Sequence, residues 1–372
     1  MGGLRSWIRR RILELFDRVL DTDEGRRSLA RALRGQLHWR RGDGELSLTG
    51  ELPYAELAHC APAEVDATER SPIFITARFR SGSTLLWNIF RQCPGVTAYY
   101  EPLNERRWFD PRTRGEHTDR SHRGVDDYWR EYQGMEDLGR WYNERWIDRQ
   151  LLMDAGAWDP DLREYIEQLI RRAPGRPVLQ FNRVDFRLAW LRRQFPTARV
   201  VHLYRHPRDQ WLSTFLHTPP FPPDGRMEDY WSQDEFYLRP WVNDLVQHFP
   251  FLDEAASEHP YQLFYYLWRL SYAFGKADAD VSIAFEDLVT RPRETLRHLF
   301  VQVDLPSEHL PGCMKVIETP RLGRWRGYAD HDWFAAHELR CEQMIADFVA
   351  GNAPTLWRLG RAPWQADAAH AE

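Results

Sequence analysis

The stretch from Pro72 to Tyr100 constrains what this chain can fold into more than any other. A short apolar run, Ile73 to Thr76, leads into a turn built from Arg80, Ser81, Gly82, Ser83 and Thr84. An amphipathic helical pattern follows from Leu85 to Gln92, stopped by Pro94 and Gly95, and a second apolar run covers Val96 to Tyr100. Strand, turn, helix, strand in this order is the opening of a parallel α/β sheet. The theme returns with a strand at Val178 to Phe181, a helix at Phe186 to Phe195, and a buried strand at Ala198 to Tyr204 that runs into a helix at Pro207. Proline suits a first helical turn, where its missing N–H costs nothing. A further strand, Val281 to Phe285, precedes a helix from about Pro292 to Val301. The pattern predicts an α/β fold: one three-layer domain over residues 71–350, with a central parallel sheet flanked by helices.

Around this domain, the apolar residues Leu4, Trp7, Ile8, Ile12, Leu15, Phe16 and Val19 fall at helical spacing, with Arg5, Arg9, Arg10 and Arg11 between them. Such a helix either packs on the domain or makes peripheral contact with an acidic membrane surface. Residues 40–70, rich in Gly, Pro and acidic side chains, read as a linker, so that 1–70 forms an N-terminal helix and linker and 351–372 a C-terminal tail. Two long stretches, 104–161 and 217–260, interrupt the α/β pattern with Trp, Tyr, Pro and charge. Loops of that length usually carry function.

Composition excludes several classes. A formal net charge of −5 offers no basic excess to neutralise a phosphate backbone, so no nucleic acid is expected as a partner, and any anion must be held by local groups. The cysteines Cys60, Cys93, Cys313 and Cys341 show no zinc-ligand or redox spacing, and no acidic or histidine cluster suggests a metal. No apolar run approaches membrane-spanning length and no secretory signal pattern is visible, which points to a cytoplasmic protein. Lysine occurs only at Lys276 and Lys315, so arginine must supply the positive charge at any anion site.

The Arg80 to Thr84 turn has the chemistry of an anion cradle. Free N–H groups at a helix start point outward, the helix dipole favours negative charge, Gly82 permits close backbone approach, and the Ser83 and Thr84 hydroxyls add donors. A plain strand-to-helix turn whose small residues cap the helix is the alternative. The lysine-bearing loop of a nucleotide triphosphatase is not present here. The second segment is Val200 to Phe215, in which Arg205 leaves a strand end and Ser213 lies eight residues later in the next helix. Strand C-termini in such sheets converge on one crevice, where a fixed arginine and a helix hydroxyl can share a phosphate. Arg205 paired with Asp209 on the surface is the competing arrangement.

Together these segments resemble the sulfotransferase family. Its 5′-phosphosulfate loop reads as a basic residue followed by S-G-[ST]-[ST], and its 3′-phosphate segment as R-x-P-x with a serine eight residues after the arginine; both stand here intact. YYEPLN after the loop, FEDLVTRPRETLRHLF (Phe285 to Phe300) and RLGRWRGY (Arg321 to Tyr328) match in order and spacing. The resemblance covers about Pro72 to Phe348 and is similar in pattern to the branch that holds carbohydrate and tyrosylprotein sulfotransferases. It implies a P-loop-like fold and a nucleotide donor, PAPS (3′-phosphoadenosine 5′-phosphosulfate), which leaves as PAP (adenosine 3′,5′-bisphosphate).

Carried onto this chain, the resemblance places Arg80 against the leaving phosphate and sulfuryl oxygens and Ser81, Gly82, Ser83, Thr84 and Leu85 around the 5′-phosphate. Arg205 and Ser213 would hold the 3′-phosphate, and Arg324, Trp325 and Arg326 would close over the nucleotide. Glu101, 21 residues after Arg80, stands where the related branch carries its proposed catalytic carboxylate. A partly desolvated carboxylate can take the proton from an acceptor hydroxyl; a salt bridge or cap beside Pro102 is the other role open to it. His206 is the rival base, as a side chain that titrates near neutral pH. Where many relatives carry a lysine, this chain reads VLQFNR, and Gln180 or Arg183 is the expected substitute. Glu286 and Asp287 are expected to satisfy backbone groups.

The expected chemistry is in-line attack on sulfur by a hydroxyl or amine of a small-molecule, carbohydrate or peptide acceptor, with the spreading charge stabilised by Arg80 and the loop amides. Two alternatives from other classes stay open: a P-loop-like nucleotide kinase that has lost its lysine, and a non-catalytic nucleotide-binding protein.

Overall fold

The computed structural model describes residues 71–351 except 120, 121, 123, 216 and 217, all within one compact unit, Glu64–Glu372. The expected N-terminal helix, the linker and the membrane contact lie outside the described residues. So does the expected tail, save Gly351, which ends a helix.

Five parallel strands form one sheet: β1 (Ile73–Thr76), β2 (Val96–Tyr100), β3 (Arg176–Phe181), β4 (Arg199–Tyr204) and β5 (Val281–Ala284), in the order β2-β3-β1-β4-β5. The central strand β1 is buried at all four positions, as its unbroken apolar run requires of a strand covered on both faces. Ile75 pairs with Gln180 on one side and Val201 on the other. From β1 the chain crosses toward β2, whereas from its neighbour β4 it crosses toward β5. The carboxyl ends of β1 and β4 therefore flank the switch point of the sheet, where the crevice of such folds opens.

Helix α1 (Ser83–Arg91) buries Leu86, Trp87, Ile89 and Phe90, and its Trp87 Nε1 donates to the Ala98 carbonyl at 2.8 Å. It begins two residues before the expected Leu85, because the Ser83 and Thr84 amides already belong to the first turn. Helix α2 (Pro160–Arg172) is capped by Asp159, whose carboxylate accepts from the Leu162 amide at 3.0 Å. Then come α3 (Leu188–Gln194), α4 (Pro207–Ser213), α5 (Leu238–Leu245), α6 (Pro260–Asp278), α7 (Phe285–Thr290), α8 (Pro292–Gln302) and α9 (His331–Gly351). The helix expected at Phe186 to Phe195 is shorter at both ends. Phe285, expected as the last residue of a strand, instead opens α7, and its ring turns under Gly82.

Helices α2, α5, α6 and α9 have no counterpart in the sequence reading. In α6, every residue from Pro260 to Gly275 is buried, so its pattern shows no polar face to betray the helical period. Helix α9 is tied to the rest by Glu338, which accepts from Arg208 at 2.7 and 2.8 Å and from the Tyr261 hydroxyl at 2.7 Å. Within the two aromatic stretches Trp108, Trp146 and Trp241 are buried in the core and Trp158 is exposed. The fold also brings Cys93 and Cys313 together as free thiols, their sulfurs 3.3 Å apart, although nothing in their spacing pairs them. Among the described residues no helix is long and apolar enough to cross a membrane.

Candidate functional site

The turn between β1 and α1 is held in a conformation few residues adopt. Arg80 has φ 64° and Gly82 φ 93°, both left-handed. Glycine is required at the second position: a Cβ there would lie 2.3 Å from Cδ2 of Phe285. Gly82 caps α1 with no side-chain hydrogen bond, so the first-turn amides keep their outward donors. Buried Ser81 points inward and donates its hydroxyl to the Arg78 carbonyl at 2.6 Å. Thr84 Oγ1 lies 3.0 Å from the Tyr100 hydroxyl and 3.3 Å from His122 Nε2.

These residues open on a cavity of about 1320 Å³. Of the sequence-predicted site residues, Arg80, Gly82, Ser83, Thr84, Leu85, Glu101, Arg205, Ser213 and Arg324 line it; Ser81, His206, Trp325 and Arg326 do not. Arg183 lines it as well, whereas Gln180 does not.

Three residues join the two motifs. Arg80 Nε donates to the Ser213 carbonyl at 2.9 Å and lies 3.3 Å from its hydroxyl. Arg205 Nη1 donates to the Arg80 carbonyl at 3.2 Å, and its guanidinium rests 4.7 Å from the centre of the Phe285 ring. The Arg205 backbone is anchored by Trp268 of α6, whose Nε1 donates to its carbonyl at 2.9 Å. Burial pulls both arginines below the ordinary guanidinium pKa; Asp119 opposes this at Arg80 and Asp209 at Arg205. Arg205 Nε is buried without a hydrogen-bond partner, a donor that a ligand anion in the cavity could satisfy.

The surface pairing of Arg205 with Asp209 is not what forms. Asp209 instead accepts the amides of Gly323 at 2.7 Å and Trp325 at 3.2 Å, which fastens the Arg321 to Tyr328 segment onto α4 and leaves Arg321 and Arg324 facing the cavity. Trp325 lies parallel to His206, with ring centres 6.3 Å apart, and Arg208 stacks on the same indole at 4.7 Å. His206 is exposed at its edge, but desolvation of the ring lowers its pKa, and the Arg208 charge adds to this. Glu286 Oε1 accepts the His206 amide at 3.1 Å, the backbone role expected of it.

Glu101 also lines the cavity, buried and itself at φ 39°. Its Oε2 accepts from Asn104 Nδ2 at 2.5 Å and lies 3.8 Å from Arg183 Nη1. Burial raises its pKa above the ordinary carboxylate value, with Arg183 and Asn104 in opposition. Two of the candidate reacting residues, Arg80 and Glu101, thus hold left-handed backbone, a strain that clusters at functional sites.

The two aromatic stretches complete the walls with residues the sequence reading did not single out: Trp108, Asp119, His122 and Tyr128 from the first, Glu235, Phe236 and Tyr237 from the second. Their only signal in the sequence was membership of long loops rich in aromatic residues. Asp119 Oδ2 lies 3.7 Å from Arg80 Nη1, and His122 Nδ1 lies 2.6 Å from the Tyr128 hydroxyl. Neither lysine of the described residues, Lys276 or Lys315, lines the cavity. Among the described residues no group of three His, Cys, Asp or Glu side chains is placed to hold a metal ion.

Among solved structures, the chain is similar to a sulfotransferase from Alicyclobacillus acidocaldarius, with 16% identity, a TM-score of 0.36, and coverage of 78% of this chain and 99% of that one. It is likewise similar to the sulfotransferase domain of the Synechococcus PCC 7002 olefin synthase (18% identity, TM-score 0.35, 77% and 98% covered). A sulfotransferase from Mycobacterium avium gives 13% identity, a TM-score of 0.40, and coverage of 77% and 78%. No curated protein matches the chain. The sulfotransferase family profile matches residues 72–309, which takes in both arginine-bearing turns, the whole sheet and the cavity-lining residues from Phe79 to Phe285. With well over half of its length inside that match, the chain belongs to the sulfotransferase family and is an enzyme of sulfuryl transfer.

Proposed function

We propose that this enzyme takes its sulfuryl group from PAPS and delivers it to a hydroxyl or amine of an acceptor, releasing PAP. The observation that carries this reading is the convergence of Arg80, Arg205, Ser213 and the uncapped start of α1 on one cavity that Glu101 also lines. The residues fit the donor on two counts. The unpartnered Arg205 Nε offers a buried donor to a second phosphate, and Gly82 starts α1 without a side-chain cap, which leaves its first-turn amides to an anion. PAPS, when bound, supplies an electrophilic sulfur and a leaving phosphate.

The roles of the chain's own groups follow from charge. The α1 amides and the Ser83 and Thr84 hydroxyls would hold the 5′-phosphate, and Arg205 with Ser213 the 3′-phosphate. Arg80, pinned by its Nε to Ser213 and with Nη1 3.7 Å from Asp119, would turn its terminal amino groups to the charge that grows on the bridging oxygen. Glu101 would take the acceptor proton: its burial raises its basicity, and Asn104 and Arg183 fix its orientation. Arg183 stands in for the lysine of many relatives, beside the base rather than at the donor. His206 lies outside the cavity lining and is assigned the positioning of the turn after Arg205.

Incubation with PAPS and a library of hydroxyl and amine compounds, read by mass spectrometry, tests the reading. A sulfated product with release of PAP is expected. An ATP-dependent phosphorylated product, or tight PAP binding with no sulfated product from any compound, would replace it with the kinase or the binding-protein alternative.

A further inference from the structure

We propose that the acceptor end of this cavity selects for hydroxyl compounds that carry no negative charge, with Glu105 and Glu235 as the residues that turn anions away. This rests on the sulfuryl-transfer reading above and names the substrate class for the same site.

The described lining carries charge of both signs, and the two signs meet at Arg80, whose Nη1 lies 3.7 Å from Asp119. Arg80, Arg205, Arg321 and Arg324 line the donor end, where the phosphates of a bound nucleotide would occupy them. The acceptor end holds three carboxylates, Glu101, Glu105 and Glu235, and the buried Arg183. Among the described residues Arg183 is the buried cation there that an acceptor anion could seek; both of its terminal amino groups are engaged, and its Nε is buried without a hydrogen-bond partner. Nη2 donates to Glu105 Oε2 at 2.5 Å, Nη1 donates to Asn182 Oδ1 at 2.6 Å and lies 3.8 Å from Glu101. Its faces lie against Phe79 at 5.0 Å and Tyr237 at 5.2 Å. Both terminal amino groups of the fork that recognises carboxylate, sulfate or phosphate are therefore taken before a substrate arrives.

What this end does offer is negative charge and ring surface. Glu105 keeps a side chain 44% exposed beside its ion pair, and Glu235 is exposed on the loop that also carries Phe236 and Tyr237. Arg106, over Trp108 at 5.9 Å, is a further lining cation among the described residues, and it is exposed to solvent, where its field is screened. Once the donor is bound, the sulfuryl oxygens add to the three carboxylates, and an anionic acceptor meets like charge from both directions. A neutral or cationic compound does not. Phe79 stacks on Tyr237 with ring centres 5.9 Å apart and meets Phe236 at the same distance, an aromatic wall suited to a flat acceptor.

The test uses three phenols of one size: tyramine, 4-ethylphenol and 4-hydroxyphenylacetate, which differ in the charge of the tail. Each is titrated calorimetrically into the full chain saturated with PAP at low salt, and PAP binding itself is measured first. Tyramine and 4-ethylphenol are expected to bind at least about tenfold more tightly than 4-hydroxyphenylacetate. Glu235→Gln, at an exposed position, should narrow that gap, and Glu105→Gln should narrow it further by freeing Arg183. Binding of the anion as tight as that of 4-ethylphenol, binding of none of the three, or a gap that survives both substitutions would overturn the proposal. Failure of PAP to bind would instead strike the donor reading, while the same three phenols titrated into the free protein still report the charge preference.

Discussion

Arg80 Nε donates to the carbonyl oxygen of Ser213 at 2.9 Å, so the loop after β1 and the last turn of α4 are joined by a side chain that lines the cavity. With Arg205 Nη1 on the Arg80 carbonyl, the two segments proposed to hold phosphate form one unit rather than two independent grips. A change in one is felt in the other.

The donor end should therefore discriminate by the 3′-phosphate. PAP is expected to raise the melting temperature more than AMP or ATP does, because only PAP presents a 3′-phosphate to Arg205 and Ser213. Arg205→Ala removes a buried charge partner and should weaken PAP by roughly 30-fold or more, with little effect on AMP. Thermal shift and calorimetry with the three nucleotides check this; equal responses to PAP and AMP would refute it.

Gly82→Ala should damage donor binding from a position that carries no functional group. The new methyl would meet Phe285 at 2.3 Å in a backbone with φ 93°, and Phe285 is the ring on which Arg205 rests. Overpacking and the left-handed backbone together should cost about 2–4 kcal/mol of stability. Chemical denaturation measures this loss, and PAP titration of the folded fraction should show weakened binding. A variant as stable and as PAP-competent as wild type would contradict the arrangement.

Glu101→Gln keeps size and part of the Asn104 contact but cannot take a proton. Turnover should fall by roughly two to four orders of magnitude, with PAP affinity nearly unchanged. His206→Asn should keep most activity. In the wild type, turnover should rise with pH through a pKa above the ordinary carboxylate value, since the base works only when ionised. Stability runs the other way. Burial raises the Glu101 pKa, so its contribution is fully present below the unfolded value and is lost as pH rises through the folded one. The stability advantage of Glu101→Gln over wild type should thus grow with pH across that interval, as denaturation at a series of pH values would reveal. An active Glu101→Gln beside an inactive, PAP-binding His206→Asn would reverse the assignment.

Sulfuryl transfer should survive excess EDTA, because the positive charge offered to the donor comes from Arg80, Arg205, Arg324 and the α1 amides. Activity assayed with and without chelator decides it. Loss of turnover restored by Mg²⁺ would support the kinase alternative.

Much of the fold could be read from the chain because its signals are local. All five strands were legible as apolar runs, and the β1–α1 turn is contained in a few consecutive residues whose types already imply an anion cradle. Helix α6 was not, since burial on all sides removes the contrast on which helical periodicity depends. Phe285 was misassigned for a related reason: an apolar residue after a strand extends the pattern, and only its packing under Gly82 shows that the strand has ended.

By itself, then, the sequence determined the parallel α/β sheet, the turn that reads as an anion cradle, and Arg80, Arg205 and Ser213 as candidate site residues, because each is encoded over short spans by residue type and spacing. Tertiary structure alone decided that Arg183 joins Glu101 and Glu105, that Asp209 serves the Gly323 and Trp325 amides rather than Arg205, and that His206 stacks on Trp325 outside the cavity lining. Each of these joins residues distant in sequence or settles which of several partners a side chain takes, and both depend on chain crossings and on burial, neither of which any local pattern contains.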